Sequence, residues 1–165
     1  MLAYVIMAII AYLIGSVNFS VIISKKMAGF DVREKGSGNA GTTNMLRSVG
    51  KKAAALTLIL DVLKGVLAIG IAILVAHIEQ EADPAIMVSV AGVFVVLGHT
   101  FPIFFGFKGG KGIATSLGVL LVINWQIGLI CLVFALILMA LTRMVSLGSI
   151  MAAILFPVLT MFIAD

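Results

Sequence analysis

Charge is scarce in this chain. Of its 165 residues, 11% are Asp, Glu, Lys or Arg, where a soluble domain carries about 25%. A water-exposed globule is therefore excluded. Cysteine occurs once, at Cys131 inside an apolar run, which excludes an internal disulfide and reads as packing. The two histidines, His77 and His99, stand in no His/Cys/Asp/Glu cluster with the spacing of a metal site. No G-x-S-x-G elbow or Ser-His-Asp set is evident, nor are repeats, low-complexity tracts or linkers. What fills the chain is hydrophobic: 62% of residues and a mean hydropathy of +1.27, the composition of a membrane protein.

Apolar runs suited to spans cover roughly 2–24, 53–76, 85–105, 113–123, 126–141 and 145–163. The first is too long for a signal peptide and has no A-x-A site, so it reads as a retained helix. An all-α bundle of about six spans in one membrane domain follows. The fourth and fifth runs are separated by Asn124, Trp125 and Gln126. One long helix could run through them, but two short helices turning at Trp125 are favoured, because Trp suits the interface. Lys25, Lys26, Arg33, Lys35, Arg47, Lys51 and Lys52 crowd the first loop, and Lys108 and Lys111 the third. The second loop carries only Glu79, Glu81 and Asp83 among charged residues. The positive-inside rule then puts the first and third loops in the cytoplasm, with the N-terminus and Asp165 outside. The formal net charge of +4 reports that orientation and anion binding. No basic surface interleaved with aromatics points to nucleic acid.

Chemistry concentrates in two glycine-rich stretches. Gly36-Ser37-Gly38-Asn39-Ala40-Gly41-Thr42-Thr43-Asn44 could turn backbone N–H groups toward one anion, with Lys35, Arg47, Lys51 and Lys52 beside it. Its G-x-G-x-x-G spacing is not a dinucleotide fingerprint, because no strand or βαβ unit surrounds it. A merely flexible loop is the plainer alternative. The second stretch, Gly98 to Gly112, contains His99, Lys108, Gly110 and Lys111. Phe105 and Gly112 stand where a P-loop needs Gly and Ser or Thr, so ATP hydrolysis is excluded. Glycine-freed backbone with two lysines at the head of a helix suits a phosphate. Anchorage to lipid headgroups is the alternative. His99 reads either as a base or phosphate ligand, or as an interfacial histidine; His77 reads as interfacial. Asp61 and Lys64 share one helix face and pair, either supporting the site or serving structure alone. Gly15, Ser16, Asn18 and Ser20 fit helix packing through small residues, and Pro157 a kink in the last span. The pattern of the CDP-alcohol phosphotransferases is absent.

With these residues assembled, the chain resembles the bacterial acyl-phosphate:glycerol-3-phosphate acyltransferases over essentially its whole length. The resemblance rests on Ala11 to Ser16, Gly36 to Lys52, Leu60 to Gly65 and Gly98 to Thr115. It implies a multi-pass enzyme of the bacterial inner membrane, with its site on the cytoplasmic face and no cofactor or metal. Such an enzyme moves an acyl group from acyl phosphate to the 1-hydroxyl of glycerol 3-phosphate, giving lysophosphatidic acid and phosphate. Ser37, Arg47 and Lys111 match residues that hold the glycerol 3-phosphate phosphate, with His99 beside them. The loop of Gly36, Gly38, Asn39, Gly41, Thr43 and Asn44 matches the acyl-phosphate site, with Lys108 and Gly110 close by. Asp61 and Lys64 match the family's second helix as support. The family continues into a seventh span and a cytoplasmic segment with His, Arg and Asn, so these 165 residues are expected to be a piece of a longer protein. The alternative from the residues alone is a transporter of a phosphorylated solute. That would need access from both faces, whereas the anion-binding features here lie on one.

Overall fold

Two close helix crossings set the frame on which the glycine-rich loops are mounted. The computed structural model describes residues 1–79 and 81–163. Gln80, Ala164 and Asp165, and with Asp165 the expected outer C-terminus, lie outside the described residues. The described elements are helical: α1 (Leu2–Ser16), α2 (Phe19–Ala28), α3 (Thr42–Ser48), α4 (Lys51–Ile78), α5 (Pro84–Thr100), α6 (Ile113–Ile123), α7 (Trp125–Thr142) and α8 (Val145–Ile163), with 3-10 turns at Val32–Glu34 and Ile103–Phe105. Two units are distinguishable, Met1–Val119 and Leu120 onward.

In the first unit α1 crosses α5 through Gly15 and Gly98. A Cβ on Gly15 would run into the Val95 backbone, and one on Gly98 into Tyr12 and Gly15. The same reciprocity holds between α4 and α6, where Gly65 faces Gly118 and Gly118 faces Val62. Lipid is as apolar as leucine, so helices in a bilayer associate through such close backbone approach rather than through the hydrophobic effect. The small buried residues Ala8, Ala11, Ala68, Ala72, Ala91 and Val95 fill the same interior, while Ile9, Leu63, Leu67, Ile73, Leu74 and Val93 are exposed. Large apolar side chains outside and small ones inside are what a lipid-facing bundle requires.

The run expected as one first span is broken. α1 stops at Ser16, Val17 is extended, and Asn18 caps α2 by accepting from the Val21 amide at 3.3 Å. Asn18, buried at this break, is thus a helix cap as well as a packed residue. Counted across that break, five helical stretches are long and apolar enough to cross a membrane: Leu2–Ala28, Lys51–Ile78, Pro84–Phe105, Trp125–Thr142 and Val145–Ile163. The remaining expected span, α6, has 11 residues, or roughly 16 Å at 1.5 Å per residue. That is about half of a bilayer's hydrocarbon thickness.

The second unit confirms the turn expected between the fourth and fifth runs and places it one residue earlier. Asn124 is extended and accepts from the Ile127 amide at 3.1 Å, starting α7 at Trp125. A Cβ on Gly128 would meet the Leu120 and Leu121 backbone at 3.2–3.3 Å, so the chain doubles back there. α7 and α8 then form an antiparallel hairpin, with Arg143 left-handed at the bend (φ 58). Cys131 is buried at this contact, its Sγ 3.8 Å from the Ala152 carbonyl.

The glycine crossings generate a direct expectation. Gly98→Ala should lower the melting temperature of the detergent-solubilised protein, by the equivalent of about 1–3 kcal/mol of overpacking. Gly70→Ala should not, because nothing lies within 4 Å of that position. Thermal unfolding of both variants checks this; equal behaviour of the two would contradict the crossing.

Candidate active site

The first loop is rigid because of one side chain. Asn44 is buried in α3, and its amide nitrogen donates to the carbonyls of Val32, Lys35 and Asn39 at 2.9–3.0 Å. Its oxygen accepts from the Ser37 amide at 3.0 Å and the Ser48 hydroxyl at 3.3 Å. A carboxamide has two N–H donors and two acceptor lone pairs, so one hydrogen is shared between two of the three carbonyls and no capacity is left over. Asn44, aligned by resemblance with an acyl-phosphate site, is therefore placed as the brace of the loop. Gly36 and Gly38 take left-handed backbone (φ 58 and 71), and a Cβ on Gly36 would strike the Asn44 amide oxygen. The Gly38 amide donates to Lys35 O at 3.1 Å. Two of the loop's amides thus point into the loop, while the Ser37 side chain lies outside it, exposed. Val32, Ala40, Met45, Ala53 and Ala54 are buried beneath, with Phe19, Leu60 and Phe105 packed against them.

The second loop leaves α5 and returns to its own starting point. Gly109 and Gly110 donate to the carbonyls of Thr100 and His99, each at 3.1 Å. Tyr12 Oη donates to Phe101 O at 2.7 Å, and the Ile103 amide reaches Ser16 Oγ at 3.4 Å, so α1 holds the outgoing limb. Gly110 is where everything converges. A Cβ there would meet His99 Nε2 and, at 2.6 Å, the Ala40 carbonyl of the first loop. The two glycine-rich stretches, far apart in sequence, therefore touch directly over the imidazole.

Below Gly110 lies a dry polar floor. Asp61, His99 and Lys64 are 2%, 4% and 3% exposed. Lys64 Nζ is 2.9 Å from Asp61 Oδ1, and His99 Nδ1 is 3.5 Å from the same oxygen. One carboxylate thus pairs with an ammonium on one side and has an imidazole close by on the other, without hydrogen-bond geometry between them, and the opposite imidazole edge faces Gly110. Lys64 does not snorkel to the interface. It donates to Gly15 O at 3.1 Å and Val17 O at 2.9 Å, the carbonyls freed where α1 ends, and sits 5.7 Å from the Phe19 ring. His99 is accordingly a buried residue rather than an interfacial one. His77 stands in the last turn of α4, beside Glu79.

Arg47, Lys108 and Lys111 are exposed, and among the described residues no hydrogen bond or ion pair from the protein occupies their side chains. Asn39, Gly41 and Thr43 are partly exposed on the same loop. Among the described residues, no group of three or more His, Cys, Asp or Glu could hold a metal ion.

Arg33 was legible in the sequence only as loop charge, and it does something else. Its Nε and Nη2 grip Asp31 at 3.0 and 2.8 Å, and its Nη1 donates to Phe105 O at 2.6 Å and Lys108 O at 3.0 Å. The Asp31 carboxyl is held down at about 2, first of all by its hydrogen bonds from Arg33, and the guanidinium is correspondingly raised. For a carboxylate depressed in the folded state, the stabilisation is complete above the ordinary value near 3.9 and is lost only as pH falls through about 2. The pair stays ionised at any physiological pH. An Asp two residues before an Arg hints at such a fork; the two carbonyl partners carry no signal in the sequence.

Comparison with known proteins places this geometry. Residues 5–164 match the profile of the family described as glycerol-3-phosphate acyltransferase. The glycerol-3-phosphate acyltransferase of Clostridioides difficile (strain 630) is 47% identical over 148 residues, which is 90% of this chain and 72% of that protein. The Paraburkholderia phytofirmans (strain DSM 17436 / LMG 22146 / PsJN) counterpart is 48% identical over 158 residues, 96% of this chain and 73% of its own. Among solved structures, PlsY (YgiH), an integral membrane glycerol 3-phosphate acyltransferase, superposes in its glycerol 3-phosphate form with a TM-score of 0.85 at 38% identity. The match covers 98% of this chain and 78% of that one. Its lysophosphatidic acid form gives 0.83 at 37% identity, covering 98% and 77%. With the loops, the floor and these similarities in agreement, the chain belongs to the glycerol-3-phosphate acyltransferase family.

Proposed function

We propose that this protein transfers a fatty acyl group from acyl phosphate to the 1-hydroxyl of glycerol 3-phosphate, at the cytoplasmic face of a bacterial inner membrane. The observation that carries the reading is the meeting of two cation-bearing loops at Ala40 and Gly110, directly over His99. Relatives bearing the same name, and a related structure described in glycerol 3-phosphate and lysophosphatidic acid forms, support it.

The chemistry asks little of the protein beyond placement. An acyl phosphate is a mixed anhydride with a good leaving group. The glycerol hydroxyl oxygen attacks the acyl carbon, the bond from that carbon to the phosphate oxygen breaks, and the hydroxyl proton ends on a phosphate oxygen. No acyl-enzyme is needed. The protein must hold two anions close and stabilise charge on the departing phosphate. Arg47 and Lys111 clamp the glycerol 3-phosphate, one by its planar fork and the other as a point charge, with Ser37 adding a hydroxyl. The loop from Gly36 to Thr43, with Lys108 beside it, faces the acyl phosphate. His99, oriented by Asp61, supplies a hydrogen bond rather than an indispensable base, because a phosphate dianion beside the hydroxyl can take the proton. An apolar groove of about 490 Å³ lined by Ile14, Val17, Phe19, Leu60, Leu63 and Val66 suits the acyl chain. Phe19 and Leu60 also pack under the first loop, so the groove adjoins the site.

Purified full-length protein given palmitoyl phosphate and glycerol 3-phosphate should produce lysophosphatidic acid and inorganic phosphate. Arg47→Ala or Lys111→Ala should weaken glycerol 3-phosphate use by about 2–3 kcal/mol, the scale of a charged hydrogen bond. Unchanged kinetics in both variants would remove the clamp. Phosphate-ester flux into liposomes without any lysophosphatidic acid would identify a transporter instead.

The loop glycines should not behave alike. Gly38→Ala forces a Cβ into left-handed backbone and costs about 1–2 kcal/mol at that residue, disturbing the acyl-phosphate side of the site. Gly41 is extended (φ −149), and an added Cβ meets only the Asn39 amide nitrogen, at 3.2 Å. Gly41→Ala should therefore keep most activity while Gly38→Ala loses it. Equal losses, measured as kcat/KM for acyl phosphate, would contradict this account of the loop.

A further inference from the structure

Among the described residues, Arg33 is the first-loop cation most fully committed within the protein; Lys25 makes only a looser pair with Asp31 at 3.5 Å. Its partly buried guanidinium makes four hydrogen bonds, two to Asp31 and two to main-chain carbonyls of the second loop. Four of its five N–H donors are thus spent inside the protein, so its role differs from those of Arg47 and Lys111. The carbonyls it grips are prepared for it. Gly106 and Phe107 both take left-handed backbone (φ 67 and 59), and the amides of Phe105 and Phe107 both donate to Pro102 O, at 3.1 and 2.9 Å. That tight curl turns Phe105 O and Lys108 O toward a single nitrogen. A bulky residue such as Phe is rarely left-handed, and it persists only where its surroundings over-determine it.

We infer that Arg33, aimed by Asp31, is a positioning residue that sets the distance between the two anion-binding loops. On one side, Asp31 and Arg33 open the 3-10 turn whose carbonyls at Val32 and Lys35 are bonded by Asn44, so Arg33 moves with the Gly36–Asn44 loop. On the other, Lys108 O lies three residues before Lys111. The staple therefore fixes where the Lys111 ammonium stands relative to Ser37 and Arg47. Planarity is what the task needs. Nε and Nη2 occupy both Asp31 oxygens, leaving Nη1 directed at the two carbonyls. A lysine ammonium offers the same charge but no fixed fork. This inference deepens the proposed acyl transfer and rests on it for its kinetic consequences.

Those consequences separate geometry from charge and from folding. Glycerol 3-phosphate is held by groups from both loops, whereas acyl phosphate faces mainly the first, which keeps its Asn44 brace. Arg33→Lys in the full-length enzyme should raise the KM for glycerol 3-phosphate by about 10–100-fold, the scale of an ångström-level misplacement. The KM for acyl phosphate should rise by less than about fivefold, because the first loop keeps its Asn44 brace and only Lys108 among the groups facing that substrate is displaced. Asp31→Asn, which loosens the aim of the fork, should act in the same direction, and it keeps the test open if Arg33→Lys does not fold. Spin labels at Glu34→Cys and Phe104→Cys, in a Cys131→Ala background, give a readout independent of activity. Their distance distribution should be narrow with Arg33 present and broad in Arg33→Lys. Wild-type kinetics and a narrow distribution in Arg33→Lys would overturn the inference. So would a loss confined to the active fraction, with both KM values and the distance kept. If the wild-type protein makes no lysophosphatidic acid, the acyl-transfer reading fails, and the spin-label comparison still decides the staple.

Discussion

Lys64 is an ammonium almost entirely removed from solvent, and its surroundings make that burial tolerable. Isolated, such a charge would cost several kcal/mol. Here it has the Asp61 carboxylate at 2.9 Å, the carbonyls of Gly15 and Val17, and the Phe19 ring. The arrangement couples features that would otherwise be unrelated. The break in the first span frees backbone carbonyls, and a helix C-terminus carries partial negative charge. Lys64 satisfies those carbonyls and neutralises Asp61. Asp61 in turn stands beside His99, under the point where both loops meet. Removing the ammonium would leave a buried carboxylate and an uncapped helix end in the same place.

Function is built on that floor by keeping two kinds of polar group apart. The floor residues Asp61, Lys64 and His99 are buried, with Lys64 paired with Asp61 and bonded to two carbonyls, and Asn44 and the Asp31–Arg33 fork are engaged within the loops above. The groups proposed to meet substrate, Ser37, Arg47, Lys108 and Lys111, are exposed, and their side chains hold no protein partner among the described residues. A phosphate reaching them displaces water rather than an internal ion pair. Internally bonded support beside exposed, unspent cations is the arrangement expected where catalysis is mostly placement of two anions.

Much of this was legible in the sequence, because run length and loop charge are local properties. The long apolar stretches became helices, and the turn after α6 was marked by Asn124, whose side chain caps α7. The two glycine-rich stretches could also be read as loops, since glycine and small polar residues interrupt the apolar runs there. The break at Val17 and Asn18 was not legible. The run from 2 to 24 reads as continuous, and the group that compensates the break lies on α4. Asn44 looked like a ligand because a carboxamide in a polar loop has the same appearance whether it faces substrate or carbonyls. Arg33 was one basic residue among many, and its partners at Phe105 and Lys108 became neighbours only through the crossing of α1 and α5. What sequence withholds here is which polar groups are already spent on one another.

The account stands most directly on the Lys64–Asp61 pair, and a double-mutant cycle on thermal stability tests it. Breaking one side of a buried pair typically costs about 3–5 kcal/mol, whereas replacing both partners is often close to neutral. Lys64→Met and Asp61→Asn should each lower the melting temperature of the detergent-solubilised full-length protein markedly. The double variant should recover a large part of the loss, with a coupling of about 1–3 kcal/mol. Losses that simply add would contradict the claim that this pair holds the floor of the site together.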